Sequence, residues 1–272
     1  MLVAELDLAT HLARAAAAAI LDVKATARAT STRKADDSPV TAADLAADRL
    51  IRVGLGVFDD VVVTEETMKA STLPRHGRVW IVDPLDGTRD FVAGSADYVV
   101  QIALVIDGQP RLGVVCQPET GIVWRGIVDG DASICERLHV GGGVVRYERA
   151  TARQASPAPR LVVSVSHPSA VVDAIGASLR AVMIPRGSVG LKIGAILDDE
   201  ADGYVTDSVH IKVWDTAAPA AILLAAGGTF TSLSSSPLRY DGAVAHDDGV
   251  AAFGPGPSAR WREALEHVVA SR

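Results

Sequence analysis

The chain has 272 residues, enough for one large or two modest domains with a substantial core. Nearly half of them are hydrophobic, chiefly Ala, Val, Leu and Ile, while aromatics are only 4%, so the interior is expected to be aliphatic and the composition argues against disorder. A formal charge of −7 excludes an extended nucleic-acid groove, which needs a surplus of Lys and Arg, but leaves open a small anionic ligand offset by local basic residues or bound cations.

Residues 4–27 predict an opening helix, with Leu6, Leu12, Ala16, Ile20 and Val23 at near-helical spacing. Its most apolar part, 15–23, lies between Arg14 and Lys24 and falls short of the roughly 20 apolar residues a membrane span needs. No small-residue cleavage site follows, so the stretch reads as a helix and not as a leader or anchor, with no membrane partner expected. Cys116 and Cys135 have neither metal-ligand spacing nor the density of a disulfide scaffold, and a reducing cytoplasm is the expected setting.

Polar residues 29–37 break the first helix. A second is expected over 42–54, reached through Ser38, Pro39 and Thr41, with Leu45, Leu50, Ile51 and Val53 on its apolar side. The β-branched runs 61–64 and 79–82 predict buried strands. Runs 98–106, 111–116 and 121–127, separated by Asp-Gly, Gln-Pro and Glu-Thr-Gly, predict an antiparallel meander. The stretch 141–159, with a triple glycine and a Pro-Ala-Pro, reads as a weakly ordered junction between an α+β domain, 1–145, and an α/β domain, 146–272. Beyond it, strands at 161–165, 181–184, 204–206 and 229–231 alternate with helices at 169–179, 190–197 and 216–226, and 255–269 forms a closing helix.

The most informative segment is Trp80-Ile-Val-Asp-Pro-Leu-Asp-Gly-Thr-Arg-Asp-Phe91, in which a buried strand runs into Asp83 and Asp86. Pro84 removes a ladder donor and Gly87 permits a tight turn, so both carboxylates and the Leu85 carbonyl would suit a hard, oxygen-seeking divalent cation. By itself the segment reads equally as a surface turn. Glu65, beside Glu66 at the end of another strand, has the solvated surface as its local alternative. Asp215, opening the helix of Val213-Trp-Asp-Thr-Ala-Ala-Pro, has an N-cap as its local alternative, and both can hold, since a helix N-terminus also favours a nearby phosphate oxygen. Asp44 follows Thr41 as a near capping box, yet a carboxylate accepting from the Thr88 hydroxyl would also orient that hydroxyl for water activation.

These segments, in this order, resemble the inositol monophosphatase superfamily, and most closely its 3'(2'),5'-bisphosphate nucleotidase branch. The shared signatures are the Asp83-Pro-Leu-Asp-Gly-Thr88 block, the upstream Glu65-Glu66 and the downstream Trp214-Asp215. The resemblance covers nearly the whole chain and implies a layered α-β-α-β-α sugar-phosphatase fold with the active site between its halves. It implies that Glu65, Asp83 and the Leu85 carbonyl bind one Mg²⁺ and that Asp83, Asp86 and Asp215 bind another. Two or three ions are expected in all, with Mn²⁺ able to substitute. Asp44 and Thr88 would activate the attacking water, and the Gly87 and Thr88 amides would cradle the phosphate.

Arg89-Asp90-Phe91 looks like the nucleotidase pattern rather than the Thr-Asn-Phe of the inositol branch, and residues 201–214 lack the glutamate that branch uses to hold inositol hydroxyls. Ser164, His167, Ser188 and Lys192 match positions where nucleotidases contact the nucleotide. Locally, Lys192 reads equally as solvated surface and His167 as a loop residue. The implied function is removal of the 3'-phosphate of adenosine 3',5'-bisphosphate, giving AMP and clearing a by-product of sulfate activation, with lithium inhibition expected. An inositol or broad sugar phosphatase is the alternative, and a catalytically silent nucleotide-binding protein a third. Assembly as a monomer or homodimer is expected.

Overall fold

A computed structural model describes residues 2–26, 32–33, 39–40, 42–68, 72–148, 158–165, 169–256 and 259–269. The chain opens on helix α1 (Val3–Ala25), followed by a short antiparallel ladder of β1 (Thr32–Arg33) with β2 (Pro39–Val40), then helix α2 (Ala42–Leu55). Strands β3 (Val61–Thr64) and β4 (Arg78–Asp86) lead to the short helix α3 (Thr88–Val92), and β5 (Val99–Ile106), β6 (Gln109–Cys116), β7 (Val123–Ile127), β8 (Ile134–Leu138) and β9 (Val144–Arg146) follow. Then come β10 (Arg160–Ser164), α4 (Ala170–Leu179), β11 (Val182–Arg186), α5 (Val189–Leu197), β12 (Gly203–Thr206), α6 (Val213–Ala225), β13 (Thr229–Thr231), β14 (Val250–Phe253) and α7 (Ala259–Val269).

Hydrophobic patterning stacks these elements in five layers. The buried stripe of α1, from Leu6 through Ala13 to Ile20, repeats every three or four residues and packs with Ala43, Ala47 and Ile51 of α2. Together they cover one face of a seven-stranded sheet, ordered β3-β4-β5-β6-β7-β8-β9, through its even-numbered residues Trp80, Val82, Val100, Ile102 and Leu104. The odd-numbered residues, among them Val79, Ile81, Val99, Ala103 and Val105, face a second core with α5, α6 and one side of a five-stranded sheet, ordered β11-β10-β12-β14-β13. Alternation of this kind, apolar on both faces, marks strands buried between two layers. The far side of the smaller sheet packs Leu161, Val205 and Ala251 against α4 and α7.

The approach of α6 to the large sheet is close because β6 carries a glycine there. A Cβ at Gly113 would lie 2.3 Å from the Ala218 carbonyl oxygen, so a larger residue would push the helix away. Among the described residues, no helix is long and apolar enough to cross a membrane.

Several elements differ from the sequence expectation. The first sheet continues through β8 and β9, so 144–146, expected to be weakly ordered, is an edge strand held by its ladder to β8. Its three residues are exposed, which leaves no core-facing pattern to read. Strand β14, Val-Ala-Ala-Phe, was not anticipated because its apolar run is too short to separate from the turn residues before it. The heart of the stretch read as a domain junction, residues 149–157, lies outside the described residues.

Candidate active site

Strands β3 and β4 pair in parallel, from Val61 opposite Val79 to Thr64 opposite Val82, so their carboxyl ends emerge at one edge. The Glu65 amide extends the ladder, donating to the Val82 carbonyl at 3.1 Å, which sets Glu65 beside the end of β4. Asp83 stands opposite Gln101 of β5, but Asp86 stands opposite Val99, a register shift of one residue. Residues three apart on a regular strand face opposite sides of the sheet. The extra residue, placed where Pro84 cannot donate to the ladder, reverses that parity and turns Asp83 and Asp86 to the same side, while Leu85 goes into the α1/α2 core. Gly87 follows with φ +94°, and a Cβ there would lie 2.7 Å from the Asp97 carbonyl oxygen, so this turn into α3 takes glycine.

Asp215 is brought to the same point by α6. It is not the N-cap that its position suggested; Lys212 holds that place, and Asp215 sits three residues on, its Oδ2 accepting from the Lys212 amide at 2.6 Å. A carboxylate here satisfies one unpaired amide of the first turn and leaves its other oxygen for a ligand. One ligand atom from each of Asp83, Asp86 and Asp215 lies within 4.8 Å of the others. Glu65 lines the same cleft, whose volume is about 240 Å³.

The electrostatics of this group are unfavourable as it stands. Burial, then the charges of Glu65, Asp86, Asp215 and Asp44, push the Asp83 carboxyl well above its ordinary range. Burial and then Asp86 do the same to Asp215. Asp86 is raised by burial, opposed by the Ser188 hydroxyl and by the positive charge of Lys192. Carboxylates crowded in this way call for a cation, and a donor set made wholly of oxygen suits Mg²⁺ or Mn²⁺.

Behind the cluster, Asp44 is wholly buried on α2. The Thr88 hydroxyl faces its Oδ1 at 3.2 Å and the Leu85 carbonyl at 3.0 Å. On the opposite wall, Ser188 caps α5 and donates to Asp86 Oδ2 at 2.6 Å, so its hydroxyl is engaged with a candidate metal ligand. Lys192 is not surface. It is 4% exposed, donates to the Gly187 carbonyl and lies 5.2 Å above the Tyr204 ring; burial draws its ammonium down to about 8 against the nearby aspartates. Ser164, Gly87 and Arg89 line the cleft as well, while His167 and Thr41 lie outside the described residues.

The sequence reading passed over Gln101, whose amide donates to Asp86 Oδ2 at 2.7 Å. A signal was present, since Gln101 is the one polar residue in the strand Val99–Ile106. It also passed over Thr206, Ser208 and His210, which complete the cleft wall and carry no motif.

The sequence profile of the inositol monophosphatase family matches residues 3–269. The chain belongs to the inositol monophosphatase family. Within it, the chain is 34% identical over 244 residues to the 3'(2'),5'-bisphosphate nucleotidase CysQ of Escherichia coli strain K12, covering 86% of this chain and 93% of that one. It is 35% identical over 191 residues to the 3'-phosphoadenosine 5'-phosphate phosphatase of Mycobacterium leprae, covering 67% of this chain and 65% of that one. Among solved members, CysQ from Bacteroides thetaiotaomicron superposes with a TM-score of 0.74 at 26% identity, over 92% of this chain and 97% of that one. The inositol monophosphatase from Anabaena sp. PCC 7120 shares the fold, with a TM-score of 0.71 at 22% identity over 99% and 96%. The expected layered family fold is thus the observed one.

Proposed function

We propose that the chain is a Mg²⁺-dependent phosphomonoesterase that adds water to the 3'-phosphate of adenosine 3',5'-bisphosphate, giving AMP and phosphate. The observation that carries the reading is the convergence of Asp83, Asp86 and Asp215 in one cleft, faced by the buried cation of Lys192. The nucleotidase names of the relatives support the choice of substrate. So does the cleft wall, where Thr206, Ser208 and His210 stand and residues 201–214 offer no glutamate.

Glu65, Asp83 and the Leu85 carbonyl would hold one cation, and Asp83, Asp86 and Asp215 a second. When bound, such cations lower the pKa of water and neutralise charge gathering on the phosphoryl oxygens. The chain's own part is to orient and to move a proton. Thr88 has one hydroxyl proton and two acceptors within reach. Donated to Asp44, that proton leaves the Thr88 oxygen free to accept one from the attacking water, so Asp44 is the terminal acceptor of a two-step relay. The Gly87 and Thr88 amides orient the phosphate, and Lys192 supplies positive charge for a second phosphate, with Ser164 and His167 as further contacts and Ser188 acting through Asp86.

The same reading covers two or three cation sites with Mn²⁺ able to substitute, lithium inhibition, a cytoplasmic monomer or homodimer, and a division of the chain near 145/146 with the site between its parts. Buried, free Cys116 and Cys135 agree with a reducing setting. Phosphate release from a panel of adenosine 3',5'-bisphosphate, inositol 1-phosphate and sugar phosphates, with Mg²⁺, tests the substrate. The bisphosphate should be turned over fastest; brisk turnover of inositol 1-phosphate without turnover of the bisphosphate would overturn the reading.

A further inference from the structure

Gln101 is wholly buried in the middle of a strand that is otherwise apolar. Burying an amide is unfavourable unless its hydrogens and oxygen find partners, and the packing position would take an aliphatic residue as readily as its neighbours Val99 and Ala103 do. The partners it has are specific. Nε2 donates to Asp86 Oδ2 at 2.7 Å and reaches the Asp215 carbonyl oxygen at 3.4 Å. That carbonyl is exposed to it by the sequence of α6. An α-helical carbonyl normally accepts from the amide four residues on, and four residues beyond Asp215 stands Pro219, inside the helix, which has no N–H to give. The amide is oriented by these contacts, since a flipped Gln101 would set its oxygen against a carboxylate and a carbonyl. Its Oε1 is buried and accepts from no donor among the described residues.

The geometry points to Gln101 as a positioning residue of the cation site, one that ties the carboxylate of Asp86 on β4 to the backbone of Asp215 on α6. The inference rests on the reading that these two aspartates hold a divalent cation. Three donors, Gln101 Nε2, the Ser188 hydroxyl and the Val189 amide, converge on Oδ2 of Asp86, which leaves Oδ1 to face the cation. Among the described residues, Gln101 is the one of the three with a hydrogen bond to α6, at the Asp215 carbonyl. With Ser188 and Val189 it therefore sets which oxygen Asp86 presents, and by its second contact it links Asp86 to the backbone of Asp215; hydrogen bonds behind metal ligands govern affinity in this way. Pro219 belongs to the same device, because an ordinary residue there would claim the Asp215 carbonyl and release Gln101 from α6.

The test compares Gln101→Met, Pro219→Ala and the double variant by calorimetric titration of EDTA-stripped full-length protein with Mn²⁺, alongside thermal unfolding. Gln101→Met should weaken Mn²⁺ binding about tenfold or more and raise the Mg²⁺ concentration giving half-maximal phosphate release by a similar factor. Were Gln101 only a cap for the Asp215 carbonyl, Pro219→Ala would supply the missing amide and the double variant would regain both stability and Mn²⁺ affinity. The inference expects stability to return and Mn²⁺ affinity to stay low, because Asp86 keeps Ser188 and Val189 but lacks the donor that ties it to α6. Should Gln101→Met fail to fold, the double variant carries the same reading. Wild-type affinity in folded Gln101→Met or in the folded double variant overturns the role of Gln101 alone, whereas failure of the wild type to bind Mn²⁺ overturns the cation site and the inference together.

Discussion

The Thr88 hydroxyl stands 3.2 Å from Oδ1 of Asp44, a residue 44 positions earlier in the chain and on the other side of the large sheet from α6. A fully buried carboxylate that accepts from a hydroxyl lining the cleft is placed to receive a proton. Asp44→Asn removes that capacity at nearly constant shape. We expect kcat to fall about 10²- to 10⁴-fold, with KM and Mn²⁺ binding little changed. Thr88→Ala should behave similarly and Thr88→Ser should retain most activity. Steady-state kinetics on these three variants check the relay, and an active Asp44→Asn would remove it.

Stability of the cation-free protein should fall as pH rises. Asp83 and Asp215 are pushed well above their ordinary range and Asp86 is raised. A carboxyl whose folded pKa exceeds its unfolded one stabilises the fold below the unfolded value, about 4, and loses that contribution as pH climbs through the folded value. Thermal midpoints in EDTA should therefore decline from about pH 4 upward, and Mg²⁺ should remove the decline. Asp86→Asn, which takes away one of the crowded charges, should flatten the EDTA curve while abolishing Mg²⁺-dependent turnover. Equal pH profiles with and without Mg²⁺ would contradict this account.

Lys192 titrates within an accessible window. Burial brings its ammonium down to about 8, so it is charged below that pH and neutral above it. A charge-assisted hydrogen bond to a phosphate contributes about 1.5–3 kcal/mol. KM for the bisphosphate should rise about tenfold or more across pH 8 in the wild type. Lys192→Met should start from the high value and show no such rise. A wild-type KM that is flat from pH 7 to 9 would take Lys192 out of substrate binding.

Gly87→Ala should destabilise the protein by about 1–3 kcal/mol, the range for a strained backbone position. Its φ is +94° and the added Cβ would lie 2.7 Å from the Asp97 carbonyl oxygen. Chemical denaturation measures the loss. Activity should fall further than stability, because the turn carries both Thr88 and the end of β4.

Much of the site could be read in advance, and particular residues show where reading stops. The block around Asp83 and Asp86 reads equally as a surface turn by itself, and becomes legible as a site only beside Glu65-Glu66 and Trp214-Asp215 in the same order. Asp215 was legible as a helix-opening acid, but only the Lys212 amide on its Oδ2 shows which turn position it occupies. Lys192 looks like any helical lysine until the packing of α5 against Tyr204 buries it. Gln101 sits 15 residues from Asp86, and sequence cannot say which carboxylate a buried amide will meet. Elements with a core-facing period, such as α1, α2 and β5, lie within a few residues of expectation. Strands β9 and β14, short and defined by their neighbours' ladders, do not declare themselves.

The register shift between Asp83 and Asp86 makes the length of one strand end as consequential as its composition. Pairing this strand end in regular register, with no bulge and the same residues, would keep every acidic residue of the cluster and every letter of the block. The restored alternation would nevertheless turn the second carboxylate toward Trp80, Val82 and the helices of the outer layer, where it would be an unpaired charge in hydrocarbon. The spacing of these two acids and the register of the strand must therefore change together: a relative with one residue fewer between them would present both to one side on a regular strand and would need no bulge.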